Sequence, residues 1–292
     1  MLSILIPIYN FDIQVLVQDL QQQCLEARIP FEIICLDDGS TISFKKNNQS
    51  VKTLEGVIYQ ELPQNLGRSK IRNRLAERAQ YPYLLYMDCD SKVVRQDYIQ
   101  SYINQLAPNQ LLYGGRVYNQ HPPERTDLLF HWYYGRQREQ QTFEQRKKQP
   151  YHSFMTNNFL IPKAIFASIQ FDEQLTQYGH EDTLFGMELK NRNIPIIHLD
   201  NPLEHLGLET QVVFLQKTQK AIENLYLLHQ QGHAIETKLL SLFQTIERYH
   251  LKGWARGSLR LLAPFIKSRL SKHPKQLVWF DLYKLLYLLD LS

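Results

Sequence analysis

The chain has 292 residues, 43% of them hydrophobic and 21% charged, enough for a full-sized core that needs neither disulfides nor structural metals. Lys and Arg number 33 against 29 Asp and Glu, and the resulting +4 is too small an excess to mark a nucleic-acid-binding surface. Cys24, Cys35 and Cys89 are odd in number and scattered, which argues against a secreted disulfide framework or a zinc knuckle and fits a reducing, cytoplasmic setting.

Residues 2–8 are β-branched and apolar on both faces, the pattern of a central strand covered on both sides of a sheet. No basic stretch or small-residue cleavage site accompanies them, so a signal peptide is not expected, and no apolar run reaches the length of a membrane span. Asp12 offers an N-cap, and Leu16, Leu20 and Cys24 recur at four-residue spacing to about residue 27, predicting a helix laid on that strand. A second buried run, 31–36, ends in Asp37-Asp38-Gly39-Ser40; the β-α-β order predicts parallel strands with a right-handed crossover. Residues 41–50 read as a polar loop, 57–60 as a third strand, and 69–79 as a helix with Ile71, Leu75 and Ala79 on one face. A fourth strand, 83–87, runs into Asp88-Cys89-Asp90. Residues 111–117 read as a strand interrupted by Gly114-Gly115, where missing side chains let a ligand or another backbone come close. The polar, weakly periodic stretch 119–149 is expected to be partly exposed and mobile. Beyond it, 162–169 and 181–190 read as helices, 195–199 as a strand, and the chain after about 210 as helical.

Two acidic clusters therefore follow predicted parallel strands, and ligands of open α/β sheets bind beyond the carboxyl ends of such strands. In an extended Asp88-Cys89-Asp90 the two carboxylates share one side. That suits Mg2+ or Mn2+, which take one or two protein carboxylates and complete their shells with water and phosphate; a polar strand end is the plainer alternative. Asp37 and Asp38 either form a turn or accept a hydrogen bond from an N–H on a base edge. Glu181 and Asp182 precede the apolar Leu184, Phe185 and Met187, so they cap a helix, or one of them is a general base kept ionised by the helix N-terminus at some loss of basicity. Arg68 and Arg72, one turn apart after Asn65 and Gly67, form a solvated face or hold phosphate oxygens and the neighbouring carboxylates. His205 stands alone in Glu204-His205-Leu206-Gly207.

Read together, residues 3–10 (Ser-Ile-Leu-Ile-Pro-Ile-Tyr-Asn), Cys35 to Ser40, Asn65-Leu66-Gly67 with Arg72-Asn73, Met87 to Asp90, Phe171-Asp172-Glu173 and Gly179 to Asp182 resemble the family 2 glycosyltransferases over roughly residues 2–207. The resemblance implies a GT-A type α/β fold, a mostly parallel central sheet with flanking helices that binds a nucleotide-sugar, here followed by a C-terminal helical extension. It implies a catalytic domain over 1–209, with a nucleotide-binding half to about 118 and an acceptor-binding half over 119–209, and a helical region over 210–292. Pro7, Tyr9, Asp37 and Asp38 would border base and ribose, and Asn65, Gly67, Arg72, Asp88, Gly115 and Glu181 would complete the nucleotide-sugar site. Asp88 and Asp90 would form the D-x-D motif that holds Mn2+ or Mg2+ against the donor diphosphate, with His205 matching a metal- or phosphate-shell histidine of some relatives. Asp182 would be the catalytic base of an inverting, hexosyl-type transfer. The expected donor is a UDP-sugar and the expected acceptor a hydroxyl of a glycan, lipid-linked saccharide or glycoprotein, in cell-surface polysaccharide or glycoconjugate synthesis. His180, before the Glu-Asp pair, departs from the commonest pattern of the family.

In the tail, Leu259, Leu262, Phe265, Ile266 and Leu270 recur at helical spacing among Arg256, Arg260, Lys267, Arg269 and Lys272, and 277–289 adds apolar surface. Such helices attach a protein to the inner face of the cytoplasmic membrane, cover the catalytic domain, or pair two copies of the chain. A sugar nucleotidyltransferase should carry a glycine-rich loop after its first strand, and Pro7-Ile8-Tyr9-Asn10 has none; a catalytically inactive glycan-binding or scaffold protein of the same fold would have little use for Asp88, Asp90 and Asp182 together.

Overall fold

The computed structural model describes every residue except 176–178, 234 and 274, and the side chains of Ser271 and of Lys272, one of the basic tail positions, also lie outside the described residues. Contacts divide the chain into two compact units, Met1–Asn119, Glu139–Thr176 and Glu181–Gly207 in the first, and Gln120–Arg138, Gln177–His180 and Leu208–Ser292 in the second.

The first unit is built on seven strands, β1 (Leu2–Ile8), β2 (Phe31–Asp37), β3 (Val57–Glu61), β4 (Tyr83–Met87), β6 (Leu111–Tyr113), β8 (Asn158–Pro162) and β9 (Ile196–His198), ordered β3-β2-β1-β4-β8-β6-β9. Only β8 runs antiparallel to its neighbours β4 and β6. The double-sided apolar pattern of β1 has a direct consequence: Leu2, Ile4, Ile6 and Ile8 share a core with Leu16, Val17, Leu20 and Cys24 of α1 (Gln14–Glu26). Leu5 faces the other way, into a core with Ile71, Leu75 and Ala76 of α3 (Arg68–Arg78). Each such buried aliphatic side chain is worth roughly 1.5–3 kcal/mol, so helices on both faces are what this strand composition demands.

A smaller sheet of β5 (Ser91–Val93), β7 (Arg116–Val117) and β10 (Leu203–His205), in the order β5-β10-β7, pairs His205 with Ser91 and Leu203 with Arg116. It draws the end of β4, the segment after Gly114-Gly115 and residue 205 into one place, although Met87 and His205 lie more than a hundred positions apart in sequence. None of these three strands exceeds three residues. Their hydrophobic pattern is too short to read.

Residues 41–50 are not a loop: α2 (Ile42–Asn48) occupies them, closed by a 3-10 turn. Its stability is tertiary, since the buried Asn48 accepts from Ile13 N at 3.1 Å and donates to Phe11 O at 2.9 Å. The stretch expected to be partly exposed and mobile also carries structure. In the first unit α6 (Phe143–Lys148) begins with a capping box between Thr142 and Gln145 and buries Arg146, while α5 (Leu129–Tyr134), in the second unit, buries Phe130, His131 and Trp132. The short helices α4 (Tyr98–Ile103) and α7 (Lys163–Ile169) and the site helix α8 (Glu181–Asn191) complete the first unit.

The second unit is helical: α5 with α9 (Gln211–Gln230), α10 (Lys238–Arg248), α11 (Lys252–Lys272) and α12 (Leu277–Leu291). Phe130, Phe214 and Phe280 meet with ring centroids 5.2–5.8 Å apart at its centre. His180, at φ 70°, sets a ring nitrogen 3.1 Å from Ala221 O within this unit. Among the described residues no helix is long and apolar enough to cross a membrane.

Candidate active site

The β1 and β2 ends lie side by side, with Ile8 opposite Asp37 and Asp38 N donating to Ile8 O at 2.8 Å. Tyr9 projects from this edge, 55% exposed, and Pro7 is half-buried just before it. Both aspartates are engaged internally. Asp37 accepts from Ser40 N at 2.7 Å and from the Tyr59 hydroxyl at 3.3 Å. The Asp38 carboxylate spans Leu66 N at 2.7 Å and Gly67 N at 3.1 Å, and Asn65 Nδ2 donates to Asp38 O at 3.0 Å. Burial raises the proton affinity of Asp38, and those two backbone N–H groups work against the rise. Asp38 thereby anchors residues 65–67 at the start of α3.

After β4 the chain does not stay extended: Cys89 and Asp90 form a turn, so the two carboxylates of the motif take different partners rather than sharing one side. Asp88 lies between two guanidiniums, accepting from Arg72 Nη2 at 2.8 Å and Arg116 Nη2 at 3.2 Å. Arg72 is buried in α3, and Arg116 continues to Glu139 at 3.2 Å, which also accepts a hydrogen bond from the Tyr118 hydroxyl. The Asp90 carboxylate turns to His205, whose Nδ1 is 3.5 Å from Oδ1, too long for a good hydrogen bond. Burial alone would raise the proton affinity of Asp90; His205, Arg116 and Arg68 outweigh it and hold the carboxyl well below the usual range.

Among the described residues no three His, Cys, Asp or Glu side chains lie close enough together to hold a metal ion. The donor set is smaller but suitable. Asp90 Oδ1 is buried and no donor reaches it within hydrogen-bond geometry, a cost of about 1–3 kcal/mol that a cation would remove. Asp90 and His205 supply one carboxylate and one imidazole, and Mg2+ or Mn2+ commonly take only one or two protein ligands beside water and phosphate. Asp88, held by two arginines, borders that position.

At the start of α8, Glu181 is buried and accepts from Arg68 Nη1 at 2.9 Å. Burial would raise its pKa, but Arg68 and Arg72 lower it below the ordinary glutamate value. Its neighbour moves the opposite way. Asp182 accepts from the Thr156 hydroxyl at 2.6 Å, and burial, followed by repulsion from Glu181, raises its pKa to about 6. The helix N-terminus was expected to keep Asp182 acidic; desolvation and the adjacent carboxylate outweigh it and make a stronger base.

Gly115 has φ +96°, and a side chain there would overlap the guanidinium of Arg146, while one on Gly114 would overlap Asn201 O. The close approach read from the glycine pair is real. Its occupants are protein groups, with Arg146 also donating to Gly114 O at 2.9 Å and Leu199 O at 2.6 Å. The family stretch at 171–173 is tied down by Asn73, which donates to Phe171 O at 2.9 Å and Glu173 at 3.0 Å.

The fold thus gathers Arg72, Asp88, Asp90, Glu181, Asp182 and His205, and Asp182 feels the charges of Arg72 and Asp88 directly. Sequence reasoning missed Arg116 and Thr156. Arg116 follows the flagged glycine pair and could have been suspected from it; Thr156 stands in a segment with no periodic signal.

Residues 3–168 match the family described as Glycosyl transferase family 2. No curated protein matches the chain by sequence. Among solved structures, S. aureus TarS 1-349 is similar at 17% identity over 99% of this chain and 90% of that one, with a TM-score of 0.52. The same protein in complex with UDP-GlcNAc is similar at 16% identity, 94% and 74% coverage and a TM-score of 0.56. Mannosyltransferase PcManGT from Pyrobaculum calidifontis, in complex with GDP-Man and Mn2+, aligns at 10% identity over 98% and 85% of the two chains with a TM-score of 0.59. The fold is the expected GT-A type, a mostly parallel α/β sheet with flanking and C-terminal helices. Because the family match spans more than half of its length, the chain belongs to glycosyl transferase family 2.

Proposed function

We propose that the protein moves a sugar, with inversion, from a nucleoside-diphosphate donor, UDP-sugar first among the candidates, to a hydroxyl of a glycan or lipid-linked saccharide. The observation that carries the reading is Asp182: a half-buried carboxylate with pKa raised to about 6, oriented by Thr156 and set beside the Arg72–Asp88 pair. Such a group is ionised at neutral pH yet basic enough to accept a proton as the acceptor oxygen attacks. The acceptor oxygen bonds to the anomeric carbon on the face opposite the diphosphate, the sugar–phosphate bond breaks through an oxocarbenium-like state, and the hydroxyl proton passes to Asp182. Arg72 and Arg116 bring fixed positive charge to the region where the leaving diphosphate gains negative charge.

Asp90 and His205, with Asp88 beside them, are the residues for Mn2+ or Mg2+; the cation when bound supplies charge neutralisation to the diphosphate. Tyr9 and Pro7, at the exposed edge of β1, are placed to border the base. Complexes of the neighbours with UDP-GlcNAc and with GDP-Man and Mn2+ support a nucleotide-sugar donor.

The test is a thermal-shift panel of uridine, guanosine and thymidine diphosphates with and without Mn2+. Ligand at about a hundred times its Kd adds roughly 2.7 kcal/mol of stability, several degrees for a chain of this size. One diphosphate should stabilise the wild type in a metal-dependent way, and Asp90→Ala should abolish the dependence. Absence of any shift would overturn the reading.

A further inference from the structure

We infer that Asn158 is a positioning residue that aims Arg116 at the donor diphosphate, an inference that rests on the transfer reading above. Asn158 opens β8, the antiparallel strand of the sheet, and is completely buried. Its side chain is saturated with hydrogen bonds. Oδ1 accepts from the Tyr98 hydroxyl at 2.6 Å and the Tyr102 hydroxyl at 2.7 Å, and Nδ2 donates to Gly115 O at 2.9 Å and Asn201 O at 3.0 Å. Apolar side chains of similar shape in place of such partners are often nearly neutral for stability, so packing alone does not explain a buried amide met by two tyrosine hydroxyls.

What the network grips is the Gly114-Gly115 pair. Asn158 O accepts from Gly114 N at 3.1 Å, and a β-carbon on Gly114 would overlap Asn201 O, Asn158 Nδ2 and the Tyr102 hydroxyl. Glycine is the loosest backbone, and Gly115 sits at φ +96°, so bonds from outside must set the direction in which the chain leaves the pair. Two donors hold the Gly115 carbonyl, Asn158 Nδ2 and, at 3.2 Å, Leu203 N. That carbonyl belongs to the planar peptide unit ending on the nitrogen of Arg116, so fixing the oxygen fixes where the arginine side chain starts.

Arg116 then has a defined aim. Its Nη2 meets Asp88 and its Nη1 meets Glu139, while Nε is buried and, among the described residues, has no acceptor. A buried guanidinium N–H left open beside Asp88 is satisfied by an anionic oxygen, and a guanidinium fork rewards such an oxygen only at the right orientation. The preceding residue fixes the other half of the ion pair, since Asn157 O accepts from Asp88 N at 3.2 Å. Residues 157 and 158 thus hold the backbone beneath both members of the Arg116–Asp88 pair.

The experiment measures uridine and guanosine diphosphates and the two nucleosides by titration calorimetry on the full chain. Asn158→Asp keeps the shape and an acceptor for both tyrosines but turns an oxygen toward the carbonyls of Gly115 and Asn201. It should weaken the bound diphosphate roughly tenfold and leave its nucleoside within about twofold, as Arg116→Met does. The double variant should bind no more weakly than either single one, because an arginine already misdirected has nothing further to lose. Tyr98→Phe removes one hydroxyl from Asn158 Oδ1 and should shift the same affinity ratio by a smaller factor; it carries the test if Asn158→Asp does not fold. A merely structural Asn158 would lower the unfolding midpoint and leave the ratio of diphosphate to nucleoside affinity at the wild-type value. That unchanged ratio, or losses that multiply in the double variant, would overturn this inference and leave the transfer reading standing. A wild type that binds neither diphosphate would overturn both.

Discussion

Gly207 lies so close to Asp90 that a β-carbon at position 207 would overlap carboxylate Oδ2 and press on the His205 ring. The backbone follows the same approach, with Leu206 N donating to Asp90 O at 2.8 Å. Gly207→Ala must therefore displace the Asp90 carboxylate. A cost of about 1–3 kcal/mol is expected, with loss of metal-dependent nucleotide stabilisation. Chemical denaturation and the diphosphate panel measure the two effects on one protein.

Asp182→Asn should reduce transfer by roughly a hundredfold to ten-thousandfold while leaving diphosphate affinity nearly intact. It should also flatten the pH dependence of stability. Asp182 has a folded pKa of about 6, above the unfolded value near 4, so the folded state holds the extra proton between them. The associated stability is fully present below about pH 4 and is lost as pH rises through 6. Removing the carboxylate removes that loss, and at pH 7 the variant should be more stable by on the order of 2 kcal/mol. Urea titrations at pH 4.5 and pH 7 separate the variants.

Thr156→Val deletes the hydroxyl that favours the charged form of Asp182. The folded pKa then rises further. The acid limb of the kcat/KM profile should move upward by about one pH unit, with activity largely recovered at high pH. A merely structural role for Thr156 would lower activity at every pH alike.

Arg116 is the shared partner of Asp88 and Glu139. Arg116→Met removes the cation shared by two half-buried carboxylates, leaving Asp88 with Arg72 and depriving Glu139 of this ion pair, and should cost about 3 kcal/mol. Arg116→Met/Glu139→Leu should recover part of that cost, because the second change removes one uncompensated charge. Nucleotide affinity should fall in both variants, since neither restores positive charge beside Asp88. A double-mutant cycle reads the coupling.

Much of the site was legible because its parts sit at the ends of elements with strong local signatures. The buried runs at 2–8, 31–36 and 83–87 specify parallel strands, and Asp37, Asp38, Asp88 and Asp90 follow those strands directly. The helix holding Arg72 and the one headed by Glu181 and Asp182 were equally readable. What escaped were features that no local pattern encodes. Arg146 is buried by carbonyls of Gly114, Gln141 and Leu199, which are far apart in the chain, so its stretch looked like an exposed loop. Likewise α2 is secured by Asn48 bonding the backbone of Phe11 and Ile13.

By itself the sequence determined the alternation of strands and helices, the edge at which the acidic residues collect, and the family of the chain, because periodicity and motif order are local properties of neighbouring residues. Tertiary structure alone decided how each carboxylate is used. Asp88 is committed to two arginines, Asp90 to His205 through a three-residue strand pairing, and Asp182 gains proton affinity because burial and Glu181 outweigh its helix N-terminus. Proton affinity and ligand capacity depend on charge and solvent within a few ångströms, and those surroundings are assembled from segments that only the folded chain brings together.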